Sequence, residues 1–159
     1  MTLGRLWAGW RTDYVSSAGE EEDGCVLCGV LEADSHVVWR GERCAAVLNA
    51  FPYTSGHLMV LPVRHVGELE EVAGEEAAEL WAGLASAVRA LKAAYGPQGI
   101  NVGANLGRVA GAGVLGHFHV HVLPRWDGDT NFMTSVAETR VIPESLPDTH
   151  EKLRAAWPR

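Results

Sequence analysis

The sequence predicts a single domain of the α+β class, and three observations carry that expectation. One long segment, residues 75–95, repeats its apolar residues at helical spacing. Several short apolar runs are bounded by turn residues, as strands are. A stretch around residue 120 alternates side chains with a period of two. A chain of 159 residues and 17.1 kDa fits one ordinary domain. With 47% hydrophobic and 21% charged residues it is a globular composition, which excludes a disordered or fibrous chain.

Residues 1–24 read as an N-terminal arm and residues 25–159 as the domain. The arm carries Trp7, Trp10 and Tyr14, expected to pack over the domain, and an acidic run, Glu20-Glu21-Glu22-Asp23, that suits a solvated loop. From Cys25 onward the pattern is mostly β. Cys44–Leu48 and His57–Leu61 are apolar runs separated by the turn-rich segment Asn49–Gly56. In residues 75–95, Leu80, Leu84, Val88, Leu91 and Tyr95 share one helical face, and Gly96-Pro97 ends the helix. Ile100–Asn105 and His117–Leu123 then read as strands around a glycine-rich connection, Gly107–Gly116, and Pro143–Trp157 as a loop followed by a short helix. The expected architecture is an antiparallel sheet with one main helix plus a short C-terminal helix.

Thirteen Lys and Arg against twenty Asp and Glu leave a formal charge of −7. That balance argues against nucleic acid held by bulk charge, so an anionic ligand needs a local site. No stretch reaches the roughly 18–20 apolar residues of a membrane span. The N-terminus has no continuous apolar core of the kind a secretory signal carries, and the expected location is the cytoplasm. The three cysteines suit a reducing compartment. Cys25 and Cys28 form a CxxC, half of a zinc site by spacing, with redox chemistry and unligated thiols as the other readings. Cys44, in an apolar run, reads as core, and His36 and His150 read as surface residues.

The informative segment is His117-Phe-His-Val-His-Val-Leu-Pro-Arg125. In a strand, His117, His119 and His121 share one face while Phe118, Val120 and Val122 share the other. Imidazole is largely unprotonated at neutral pH, so such a row can supply a nucleophile that forms a covalent bond to phosphorus. A metal centre is the competing reading, but it would want a nearby carboxylate, and Asp127 lies beyond Pro124. In the glycine-rich connection, Gly107, Gly111 and Gly113 let backbone N–H groups approach phosphate oxygens. Asn105 is expected to share a strand face with Asn101 and Gly103, with Arg125 or Arg108 nearby.

HFHVHVLPR resembles the signature of the histidine triad (HIT) superfamily. The resemblance runs from about Leu6 to Trp157. LWAGWRTDYV, the CxxC, NAFPYTSGHLMVLP, NVGANLGRVAGAG and PRWDGDTNFM are similar to a bacterial branch that includes diadenosine tetraphosphate phosphorylases. The resemblance implies a HIT-like fold, a homodimer and a nucleotide substrate. It implies that His119 is the nucleophile, that His121 contacts the phosphates, and that His57 and His117 complete the catalytic set. Asn49 falls where the family binds the ribose hydroxyls. Val26, Leu27 and Val47 match the base pocket, with ordinary core as the alternative. Asn105, Gly111, Ala112 and Gly113 match the phosphate loop, and Trp126 a branch feature that shapes the nucleotide site or packs as core. The chain departs from the family at Gly111-Ala112-Gly113-Val114, where many members carry Ser, Thr or Gln. That leaves open whether water or phosphate is the acceptor.

Some relatives bind zinc through a CxxC, a histidine after the second strand and the first triad histidine. Cys25, Cys28, His65 and His117 match those positions, which implies a closed structural zinc site. The function expected is cleavage of a nucleoside polyphosphate at the α-phosphorus through a nucleotidyl-histidine. The rival is a zinc-stabilised module that binds nucleotide and signals to a partner without turnover.

Overall fold

The computed structural model describes residues 24–129 and 142–159. The aromatic arm and the part of the PRWDGDTNFM segment after Asp129 lie outside the described residues. In chain order the elements are α1 (Val26–Ala33), β1 (Val37–Arg40), β2 (Cys44–Leu48), β3 (Leu58–Pro62), α2 (Gly74–Tyr95), β4 (Gly99–Gly103), β5 (Val120–Arg125) and α3 (Leu146–Ala156). The strands form one sheet in the order β1-β2-β3-β5-β4, antiparallel throughout. The α+β expectation holds, with three helices among the described residues.

The two central strands explain the continuous apolar runs. All five residues of β2 and all five of β3 are buried, because both faces of the sheet are covered there. On one face Leu48, Leu58, Val60, Val120 and Val122 pack against Leu80, Leu84, Ala87 and Leu91 of α2. On the other, Ala45, Val47, Met59 and Leu61 pack against Leu27 and Leu31 of α1. Leu91 is completely buried, and its truncation to alanine costs about 2–5 kcal/mol by the usual sum of lost transfer energy and cavity.

α2 matches the sequence expectation closely. Glu75 and Glu76 in its first turn favour the positive end of the helix dipole, and Gly96 at φ 55° closes it with an N–H bond to the Lys92 carbonyl. α3 begins at Ser145, whose Oγ accepts from the Asp148 N–H, and it docks by stacking Trp157 on Trp39 at 5.5 Å between ring centres. His150 of α3 is half-buried and donates from Nε2 to the Val37 carbonyl at 2.8 Å, so it covers the β1 edge. This corrects the surface expectation for His150. At the opposite edge, Asn101, Val102 and Gly103 of β4 are exposed.

Two elements differ from the sequence reading. Cys25 onward is not β at first: Val26–Ala33 is helical, with no side-chain cap, and its Leu27 and Leu31 are held by burial. The triad strand begins at Val120 and not at His117. The segment before it is tied elsewhere, through the Phe118 N–H to the Val66 carbonyl at 2.7 Å.

Candidate active site and metal centre

His57, His119 and His121 meet on the sheet face that also carries Met59. The ladder pairs His121 with Met59 across β5 and β3, and His57 is the residue before β3. The loop from Asn49 to His57 is braced at both ends. Asn49 N–H donates to the His57 carbonyl at 3.0 Å, and His57 N–H to the Thr54 carbonyl at 3.2 Å. Gly56, at φ 81°, turns the chain where a Cβ would lie 3.0 Å from Leu91 and 3.1 Å from Tyr95, so glycine is required there.

Each histidine has a defined proton position. A carbonyl only accepts, so the 2.8 Å contact between His119 Nδ1 and the His117 carbonyl places the proton on Nδ1. His119 Nε2 therefore carries the lone pair. A backbone N–H only donates, so the 3.2 Å contact from the Tyr53 N–H makes His57 Nδ1 an acceptor and puts the His57 proton on Nε2. That proton goes to His121 Nδ1 at 2.9 Å, which leaves Nε2–H of His121 as a donor. The rings of His119 and His121 lie 4.9 Å apart at 82°. The site thus sets a bare imidazole nitrogen beside an imidazole N–H. Burial pushes His119 below its ordinary value, and burial followed by the neighbouring His119 pushes His121 down to about 4. Both are neutral at pH 7, the form a nucleophile and a hydrogen-bond donor require.

Other expected site residues are placed as follows. Asn49 accepts the Phe51 N–H on Oδ1 at 2.9 Å, an arrangement that commits its oxygen and leaves its NH2 group as the donor end. Leu27 and Val47 are buried in the cluster under α1, whereas Val26 is 59% exposed. β4 ends at Gly103, so Asn105 lies beyond the strand and does not share a strand face with Asn101. Its NH2 group instead donates to the Gly111 carbonyl at 3.1 Å and braces the glycine loop. Within that loop the Gly111 N–H donates to the Arg108 carbonyl and the buried Ala112 donates to the Gly107 carbonyl, so these two amides are committed internally. Gly113 follows them. Arg125 is held by Asp129 and by the Asn101 carboxamide oxygen at 2.9 Å, which removes it as a ready phosphate ligand. Trp126 meets the edge of the Tyr95 ring, at the C-terminal end of α2.

The four expected metal ligands do converge. One ligand atom from each of Cys25, Cys28, His65 and His117 lies within 4.8 Å of all the others. His117 Nδ1 stands 3.4 Å from Cys25 Sγ and 3.5 Å from Cys28 Sγ, and His65 Nδ1 stands 3.5 Å from Cys28 Sγ. Tetrahedral zinc with its normal bond lengths separates sulfur from nitrogen by about 3.6 Å, so the set has the right size. His117 Nε2–H donates to the Pro62 carbonyl at 2.9 Å, which turns the lone pair of Nδ1 toward the thiols. Burial, then the adjacent Cys25, pushes the Cys28 thiol up to about 11, so a cation is what would make it a thiolate. Cys44 is buried among core residues, as expected.

Sequence reasoning missed Tyr53. Its ring lies 4.7 Å from that of His57 and 6.2 Å from that of His121. It also missed the carbonyls of His117 and Pro62 as the groups that orient two of the histidines. Only the position of Tyr53, four residues before His57 in a tight loop, hinted at such a contact.

Comparison with known proteins yields consistent relatives. The HIT domain family model matches residues 30–128. An AP-4-A phosphorylase of Mycobacterium tuberculosis is 42% identical over 167 residues, covering 99% of this chain and 86% of that protein. A histidine triad nucleotide-binding protein of Sulfolobus tokodaii, described as hypothetical, has a similar structure, with a TM-score of 0.69 and 27% identity over 83% of this chain and 91% of the other. A Zn-bound histidine triad family protein of Mycobacterium smegmatis gives a TM-score of 0.68 and 29% identity, over 84% and 92% of the two chains.

Proposed function

Because the chain belongs to the HIT domain family, whose named relatives process or bind nucleotides, we propose that it cleaves a dinucleoside polyphosphate at the α-phosphorus through a nucleotidyl-histidine. The observation that carries the reading is the orientation of His119, whose Nδ1–H is spent on the His117 carbonyl and whose Nε2 is left bare beside His121. His119 Nε2 attacks the α-phosphorus, the N–P bond forms and the P–O bond to the departing polyphosphate breaks. The Nε2–H of His121 donates to phosphate oxygens as negative charge moves onto them. Asn49 takes the ribose hydroxyls, and the exposed Val26 borders the base site, with Leu27 and Val47 packed as core behind it. Asn105 shapes the glycine loop, so that Gly113, beyond the internally bonded amides of Gly111 and Ala112, approaches the phosphates.

The acceptor in the second step is inorganic phosphate. The name of the Mycobacterium tuberculosis relative, matched over 99% of this chain, favours that choice over water. Phosphate oxygen attacks the phosphorus, the N–P bond breaks, and a nucleoside diphosphate leaves. Zinc held by Cys25, Cys28, His65 and His117 would close a four-ligand structural centre with no position left for substrate. Those residues tie α1 and the segment after β3 to the histidine row. The exposed β4 edge supports pairing of two copies into a homodimer. The thiols of Cys25, Cys28 and Cys44, none of them bridged, suit the cytoplasm. No helix among the described residues is long and apolar enough to cross a membrane.

Chromatography of the products from diadenosine tetraphosphate tests the reading. ADP plus ATP, formed only with phosphate present, is the expected result. AMP plus ATP would make water the acceptor. Binding without any product would favour the non-turnover module.

A further inference from the structure

We propose that Tyr53 is the positioning residue of the His57–His121 pair, and that it keeps the two rings in the single proton arrangement that leaves a donor on His121. The inference rests on the histidine chemistry above, but it concerns a residue to which that chemistry gives no role. Three observations carry it. The Tyr53 N–H donates to His57 Nδ1 at 3.2 Å, which selects one of the two neutral forms of His57 and, through Nε2–H, one form of His121. The Tyr53 ring covers both imidazoles, with centres 4.7 Å from His57 and 6.2 Å from His121. Its own position is fixed by the preceding Pro52, by the Phe51 N–H bond to Asn49 Oδ1 at 2.9 Å, and by the Thr54 hydroxyl bond to the Pro124 carbonyl at 3.3 Å.

The physical reason for a ring is exclusion of water and restriction of rotation. A neutral imidazole pair joined by one hydrogen bond can exchange its donor and acceptor ends if either ring turns or if a water enters. The reversed arrangement would set His57 Nδ1–H against the Tyr53 N–H, two donors face to face. It would also turn a lone pair of His121, in place of its proton, toward an anionic substrate. The aromatic face over both rings blocks that exchange, while the main-chain N–H beneath it makes the alternative costly. His57 is 1% exposed, so the covered partner is already deep, and Tyr53 guards the half-exposed one.

The test compares Tyr53→Phe, Tyr53→Leu and Tyr53→Ala with the native chain, using two independent measurements. The first is the imidazole ¹⁵N spectrum of the ligand-free protein, which distinguishes protonated from bare ring nitrogens. The second is the single-turnover rate of nucleotidyl-histidine formation from diadenosine tetraphosphate. Tyr53→Phe is expected to keep the native spectrum and rate. Tyr53→Leu, which keeps bulk but no ring, and Tyr53→Ala are expected to average the nitrogen signals of His57 and His121. Both are expected to slow the chemical step about 10- to 100-fold with little change in KM. Native ¹⁵N signals in Tyr53→Leu and Tyr53→Ala would overturn the proposal, whatever the rates. A rise in KM at an unchanged chemical rate would also overturn it, making Tyr53 a substrate contact. The ¹⁵N arm needs no substrate, so it tests the role of Tyr53 even if the native chain leaves diadenosine tetraphosphate uncleaved.

Discussion

Replacing Gly56 by alanine tests how tightly the fold and the site share one turn. Gly56 lies at φ 81°, where an L-residue pays about 1–2 kcal/mol. The added Cβ would stand 3.0 Å from Leu91 Cδ2, 3.1 Å from Tyr95 Cε2 and 3.3 Å from Pro124 Cγ. All three are closer than ordinary carbon contact, and Leu91 has no solvent to retreat into. Overpacking of this kind adds about 1–3 kcal/mol. The sum is a destabilisation of about 2–5 kcal/mol. Urea unfolding followed by fluorescence should show a lower midpoint with an unchanged slope, since the folded core is otherwise the same. The neighbouring His57 should move with the turn, so the rate of histidine adduct formation should fall in the same variant. A loss below about 1 kcal/mol with native kinetics would refute the reasoning, because it would mean that the turn relaxes without cost.

Two further predictions concern the metal set and the buried imidazoles. Cys25→Ser is expected to purify with well under one equivalent of zinc. If free zinc stands at about 100–1,000 times its Kd, losing it removes about 3–4 kcal/mol and lowers Tm by about 6–15 °C; one full equivalent at native Tm would contradict the four-ligand site. His121 is neutral in the folded state down to about pH 4, whereas an unfolded histidine takes up its proton near 6.5. The unfolded state therefore binds more protons between those values, and stability contributed by this group is complete above pH 6.5 and is lost as pH falls toward 4. Allowing for the solvent-facing part of the ring, the loss is about 1–2 kcal/mol. The pH dependence of urea unfolding over that range should be shallower in His121→Asn by this amount, and an identical dependence in both proteins would argue against a neutral buried His121.

Much of this arrangement was legible in the sequence because it rests on periodicity. The 3.6-residue repeat of Leu80, Leu84, Val88 and Leu91 gave α2, and the CxxC with His65 and His117 gave the metal set through family resemblance. α1 was not legible, since Val26-Leu27-Cys28-Gly29-Val30-Leu31 has strand-like composition and no capping side chain. Its helicity comes from tertiary burial of Leu27 and Leu31, which no local pattern encodes. The row of three histidines was visible and family resemblance implied its division of labour, but which ring nitrogen meets which partner was not legible. His117 turns to the thiols, while His121 meets His57 and His119. That split depends on which carbonyl or backbone N–H each ring meets, and these partners lie up to 55 residues away, as Pro62 does from His117. The pairing of Arg125 with Asp129 was not legible for a related reason: the two are near in sequence, but an ion pair is a matter of geometry that spacing alone does not decide.

The most direct test of the central claim is mass spectrometry of the protein quenched in acid-free denaturant after brief exposure to diadenosine tetraphosphate without inorganic phosphate. The account predicts that the peptide spanning His117 to Arg125 gains one adenylyl group on His119, and that added phosphate discharges it as ADP. It also predicts that His119→Ala, folded and binding nucleotide, gains none. An adduct on another residue, or native turnover by His119→Ala, would contradict the account.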